Sequence, residues 1–166
     1  MSLPADASDM NGIVLDCSAA LALFLDDEQP PLAIALLDVL ADVEIWIPSL
    51  WHCELANALL VAQRRRRLVP ARARQILAQA ARLPLKIEGT AADTPARLFE
   101  LAAAHGLTAY DAAYLDLAQR RALALATLDA RLAKAARDTT TEVFGDKSKN
   151  AGVREPKRRY TRSPPR

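Results

Sequence analysis

Apolar residues in this chain fall into short continuous runs, separated by longer stretches where they recur every three or four positions. The runs GIVLDC (12–17), EIWIP (44–48), LPLKIE (83–88) and ALALAT (122–127) predict four strands, and TEVFG (141–145) a short fifth. Uninterrupted runs of this kind suit parallel strands buried on both faces. Between them the spacing predicts helices over roughly 18–26, with Ser18 placed to cap it, and 32–43, after the Gln29-Pro30-Pro31 break. A long helix over 49–68 carries Trp51, Leu55, Ala58, Leu59 and Ala62 on one stripe. Further helices are predicted over 71–82, opened by Pro70, over 94–105, stopped at His105-Gly106, over 108–121, and from Asp129 to about 137. Strands alternating with helices imply an α/β domain with a central, mainly parallel sheet of four to five strands flanked by helices. No internal repeat is visible.

Composition narrows this picture only slightly. The 166 residues are 51% hydrophobic and 25% charged, ordinary for a soluble globular domain. The first ten residues contain two aspartates and no basic residue, unlike a secretory signal, and the longest apolar run is short for a membrane span. A cytoplasmic protein is expected. Cys17 and Cys53 are too few for a disulfide framework and have no zinc-ligand spacing, so they read as core-filling thiols.

Charge divides the chain in two. Residues 145–166 hold eight Lys/Arg and two Asp/Glu, whereas residues 1–144 hold 14 basic and 18 acidic residues. The basic segment lacks periodicity and is rich in Pro, Lys, Arg and Ser, the signature of a disordered tail. The expected organisation is therefore a folded domain over 1–144 and a basic tail over 145–166. The tail is either a plain extension or an electrostatic arm for RNA phosphates.

Four acidic residues fall where parallel α/β sheets bind ligands, at the carboxyl ends of strands. Asp16 ends the first strand, Asp129 follows the fourth, Glu54 lies in the helix after the second, and Asp111 opens the helix that starts at Thr108. Each has a plainer reading. Thr108 and Asp111 fit a capping box, Asp129 could cap its helix, and Glu54 could be solvated. Asp16 resists such a reading, because an aspartate closing an apolar strand is costly without a partner. Two carboxylates about 5 Å apart repel by roughly 3 kcal/mol at an effective dielectric near 20. A convergent group would hold protons or recruit cations, and an all-oxygen site suits Mg²⁺ or Mn²⁺. Such sites activate water and stabilise the leaving oxygen in phosphodiester hydrolysis.

The stretches IVLDCSAALALFLDDE, PSLWHCELANALL, LTAYDAAYLDLA and ALATLDARL, in this order, resemble the PIN-domain ribonucleases, and most closely the VapC toxins of bacterial toxin–antitoxin pairs. The resemblance covers roughly residues 12–144. It implies that Asp16, Glu54, Asp111 and Asp129 are the acidic site residues. Ser18 and Thr127 match the small hydroxyl positions, and Asn57 the asparagine of the third helix; these three would orient carboxylates or waters. It further implies an Mg²⁺- or Mn²⁺-dependent endoribonuclease, a homodimer silenced by a cognate VapB-type antitoxin. The basic tail departs from the family, whose members end near residue 145. A non-catalytic PIN-like module binding RNA or protein is the alternative. A phosphoaspartyl hydrolase would need a second aspartate where Ser18 stands.

Other features have ordinary readings. Arg64 to Arg67 complement a helix dipole or contact RNA phosphate or antitoxin. Asp26, Asp27 and Glu28 read as a solvated helix end, Asp93 repeats a capping pattern with Thr90, and Asp116 does not share the face of Asp111. His52 and His105 read as surface or packing residues.

Overall fold

The computed structural model of the chain describes residues 11–25 and 31–146. The basic tail beyond Asp146 and the acidic run 26–28 lie outside the described residues.

Among the described residues four strands form one sheet in the order β3-β2-β1-β4: β1 (Gly12–Leu15), β2 (Glu44–Pro48), β3 (Leu85–Glu88) and β4 (Ala124–Ala126). All three pairings are parallel, with Val14 opposite Trp46 and Leu125, and Ile47 opposite Ile87. Central β1 is buried along its whole length, as its unbroken apolar run requires. Its first residue must be glycine for a steric reason. A Cβ on Gly12 would stand 2.8 Å from the Glu44 carbonyl oxygen of the neighbouring strand.

Among the described residues seven helices flank the sheet: α1 (Cys17–Phe24), α2 (Pro31–Val39), α3 (Trp51–Arg64), α4 (Pro70–Ala80), α5 (Thr94–His105), α6 (Ala109–Arg121) and α7 (Ala130–Asp138). α6 packs against β1, β2, β4 and α5, and every residue from Ala112 to Ala118 is buried. That position explains the run from Ala112 to Ala118, apolar except for Asp116. It also explains Asp116, which is buried between Arg97 of α5 (3.0 Å) and Arg120 (2.8 Å). Arg120 and Arg121 continue to Glu88 at the end of β3, so the charged cluster ties two helices to the sheet edge.

The structure departs from the sequence reading at several boundaries. α1 starts at Cys17 with Asp16 at its N-cap position, so Ser18 lies inside the helix and does not cap it. α3 starts at Trp51, which places Glu54 in its first turn. The expected fifth strand is a single parallel bridge, Leu125 to Val143, held by Leu125 N–H to Glu142 O (2.8 Å) and Phe144 N–H to Leu125 O (2.9 Å). Cys17 is buried as expected, but Cys53 faces out of α3 and fills no core. Asp93 makes no cap with Thr90; it pairs with Arg97, while Thr94 accepts from the Ala91 N–H. His52 packs edge-on against Trp51. Arg64 to Arg67 close α3, exposed and without ion pairs among the described residues.

Candidate active site

The chain lays down β1, β2 and β3 in one direction, then returns to place β4 on the opposite side of β1. The strand order thus reverses between β1 and β4, and open α/β sheets bind ligands beyond the carboxyl ends of the strands at such a point. Asp16 is the first residue past β1 and Thr127 the first past β4. Their backbones are stitched together by Asp16 N–H to Ala126 O at 3.0 Å.

Asp16 is only 7% exposed. Its Oδ2 accepts hydrogen bonds from Ser18 Oγ (2.5 Å) and Thr127 Oγ1 (2.7 Å). Burial pushes the carboxyl above its ordinary range; the two hydroxyls, and the amides of Cys17 and Ser18, oppose that rise without cancelling it. The hydroxyls also bind the loop after β4. Ser18 Oγ accepts from Leu128 N–H (2.9 Å) and Thr127 Oγ1 from Asp129 N–H (3.0 Å). Two short side chains thereby link Asp16 to the segment carrying Asp129.

Glu54 is half-buried at the start of α3, and its Oε2 accepts the phenolic hydrogen of Tyr114. Burial raises its carboxyl, and the charges of Asp16 and Asp111 raise it further, while Tyr114 pulls the other way. Glu54 therefore lies within electrostatic reach of both. The same burial and the Glu54 contact push the Tyr114 hydroxyl far up, so it remains a donor. Cys17 is pushed up to about 12, by burial first and then by the charges of Asp16 and Glu54. An inert thiol results.

The other two carboxylates are caps. Asp111 completes a capping box: its Oδ2 accepts from Thr108 Oγ1 (2.8 Å) and Thr108 N–H (3.3 Å), while its own N–H donates to Thr108 Oγ1 (3.1 Å). Asp129 Oδ1 accepts from Arg131 N–H (2.7 Å) and Leu132 N–H (3.0 Å) at the start of α7. Each cap occupies one oxygen and leaves the other without a partner among the described residues. Asn57, one turn after Glu54, is exposed and makes no side-chain hydrogen bond among the described residues.

No Lys, Arg or His among the described residues forms an ion pair with Asp16, Glu54, Asp111 or Asp129, although most other acidic groups have one. Their donor chemistry, all oxygen and uncompensated, fits Mg²⁺ or Mn²⁺. Among the described residues no three His, Cys, Asp or Glu side chains are already grouped as a metal cage. The fit is therefore one of charge and donor type. A separate apolar groove, lined by Pro95, Leu98, Phe99 and Leu107 along α5, holds none of the four. Tyr114 is the residue that sequence reasoning missed. Its three-residue spacing from Asp111 puts both on one face of α6, a signal available in LTAYDAAYLDLA.

The chain belongs to the PIN domain family, which matches residues 13–138. Similar solved structures include VapC20 of Mycobacterium tuberculosis, a sarcin-ricin loop cleaving toxin (18% identity, TM-score 0.55, covering 75% of this chain and 95% of that one). FitAcB from Neisseria gonorrhoeae is similar too (19%, TM-score 0.56, covering 80% and 96%). So is VapBC2 from Rickettsia felis, bound to a DNA fragment from its promoter (16%, TM-score 0.55, covering 79% and 95%). At these identities the likeness is one of fold. No curated protein sequence matched the chain.

Proposed function

We propose that this protein is a divalent-metal-dependent endoribonuclease, the toxin of a type II toxin–antitoxin pair of the VapC kind. The observation that supports this best is Asp16. It is a buried carboxylate at the sheet's switch point, held only by neutral hydroxyl and amide donors, with Glu54 and Asp111 adding uncompensated charge nearby. A structural aspartate in such a place would be paired with a cation, as Asp116 is with Arg97 and Arg120.

In this reading Asp16, Glu54, Asp111 and Asp129 hold Mg²⁺ or Mn²⁺. A bound ion of this type lowers the pKa of water and offsets charge developing on a phosphodiester. Ser18 and Thr127 orient Asp16 by both donating to Oδ2. Asn57 is assigned to orienting water or carboxylate from the next turn of α3. Hydrolysis adds water to phosphorus and breaks one P–O bond, so no covalent nucleophile from the protein is required. The remaining assignments are an RNA substrate, a VapB-type antitoxin partner, a homodimer and a cytoplasmic location. Residues 1–144 are taken as the catalytic domain and 145–166 as a basic extension. No helix among the described residues is long and apolar enough to cross a membrane.

The test is RNA cleavage by the purified chain with Mg²⁺, with chelator, and as Asp16→Asn. Cleavage is expected only in the first case; cleavage surviving both changes refutes the reading. One observation favours the alternative of a non-catalytic binding module: Asp111 and Asp129 already serve as caps, and no metal cage is formed among the described residues. Calorimetric titration with Mn²⁺ separates the two, since a binding module would take up no ion.

A further inference from the structure

A core aromatic ring beneath Glu54 supports an inference that rests on the metal-site reading above. Tyr114 is 0% exposed, and its hydroxyl donates to Glu54 Oε2. Phenylalanine would fill the same volume without burying a hydroxyl, and a buried phenol requires a partner. Glu54 is the partner that the described residues supply.

The geometry gives this bond a purpose. Glu54 is half-buried, has three rotatable side-chain torsions, and is repelled by Asp16 and Asp111. Untethered, it would relieve that repulsion by swinging into water. A lysine or arginine could tether it, but would also cancel the charge that a cation must find. A phenol is a neutral donor on a ring locked in the core, so it holds the carboxylate and leaves its charge. With Oε2 occupied, Oε1 has no other partner among the described residues.

We propose that Tyr114 is a positioning residue, fixing the Glu54 carboxylate for the divalent cation through the hydrogen bond to Oε2. The experiment is calorimetric Mn²⁺ titration of the full chain as wild type, Tyr114→Phe, Glu54→Gln and the double variant, with thermal unfolding of each in chelator. Tyr114→Phe is expected to weaken Mn²⁺ binding about tenfold, the effect typical of losing a group that orients a ligand. In the Glu54→Gln background the same change is expected to have less than about a twofold effect, because the group it acts through is gone. Unchanged affinity in Tyr114→Phe overturns the proposal, whatever happens to stability, because the bond would then serve packing alone. Equal weakening in both backgrounds overturns it as well. A wild type that binds no Mn²⁺ marks the failure of the metal-site reading itself and removes this inference with it.

A second measurement does not depend on Tyr114→Phe folding. In a Tyr110→Phe, Tyr160→Phe chain Tyr114 is the sole tyrosine. With that residue ¹³C-labelled at Cζ, Mg²⁺ titration is expected to shift its resonance along the binding isotherm. A resonance that does not move while Mg²⁺ binds overturns the proposal.

Discussion

Thr127→Val probes the link between β1 and β4 with almost no change of shape. The residue is 6% exposed, and valine keeps both the branched Cβ and the volume. The hydroxyl has two jobs: it donates to Asp16 Oδ2 at 2.7 Å and accepts from Asp129 N–H at 3.0 Å. A hydrogen bond to a charged group contributes about 1.5–3 kcal/mol. The orphaned Asp129 amide adds little, because Asp129 is exposed and water can replace the lost acceptor. The net cost at pH 8 is therefore about 2 kcal/mol, a drop of roughly 1 M in the urea midpoint at an ordinary m-value. The cost has a pH signature. Removing a donor to the ionised form raises the Asp16 pKa beyond its already raised position. The penalty is thus full above the folded pKa and shrinks as pH falls toward the ordinary value of 3.8. Urea unfolding of wild type, Thr127→Val and Thr127→Ser in chelator, in steps from pH 8 down toward the ordinary 3.8, measures this. Serine is expected to stay near wild type. A valine cost at pH 8 below about 0.5 kcal/mol, or one that does not shrink anywhere as pH falls toward 3.8, refutes the reasoning.

Two further predictions use the same carboxylates. For the metal-free protein, Asp16 and Glu54 have raised folded pKa values, so their contribution to stability is complete below the ordinary 3.8 and 4.5 and is lost as pH rises through the raised values. Glu88, Asp93, Asp138 and Asp146 are lowered by arginine or lysine partners, so their contribution is lost on acidification below those ordinary values. Thermal melts in chelator should therefore show maximum stability at mildly acidic pH, about 5; a maximum above pH 7 contradicts this. At Asp129 the cap and the proposed ion site can be separated. Asp129→Asn keeps a capping oxygen and should leave the melting temperature nearly unchanged while abolishing RNA cleavage, whereas Asp129→Ala should also lose about 1 kcal/mol of stability. Asparagine with full cleavage activity would reduce Asp129 to a cap.

Local physics wrote much of this fold directly into the sequence. β2 and α5 have the expected ends because Pro48 stops the one and Gly106, at φ 64°, the other. The capping box of Thr108 and Asp111 forms as its spacing requires. The end of β1 is legible in the same way, since the charge of Asp16 closes an apolar run. What failed to read was whatever depends on partners distant in the chain. Asp116 read only as lying off the face of Asp111, because its partner Arg97 comes from α5. Ser18 looked like a cap, because nothing local shows that its hydroxyl serves Asp16 and the Leu128 amide, 110 residues away. TEVFG looked like a strand, but it meets β4 only at the Leu125–Val143 bridge.

By itself, then, the sequence determined the alternating strand–helix order, the caps of α6 and α7 at Thr108 and Asp129 and the positions of four carboxylates, since propensity, turn chemistry and hydrophobic period act over a few residues. Only the tertiary structure decided the strand order that puts β1 beside β4, and with it the contacts of Thr127 and Ser18 with Asp16. It also decided that a core tyrosine should reach Glu54. Those choices are made by packing and by desolvation of charge, which depend on what surrounds a residue in space rather than on its neighbours in the chain.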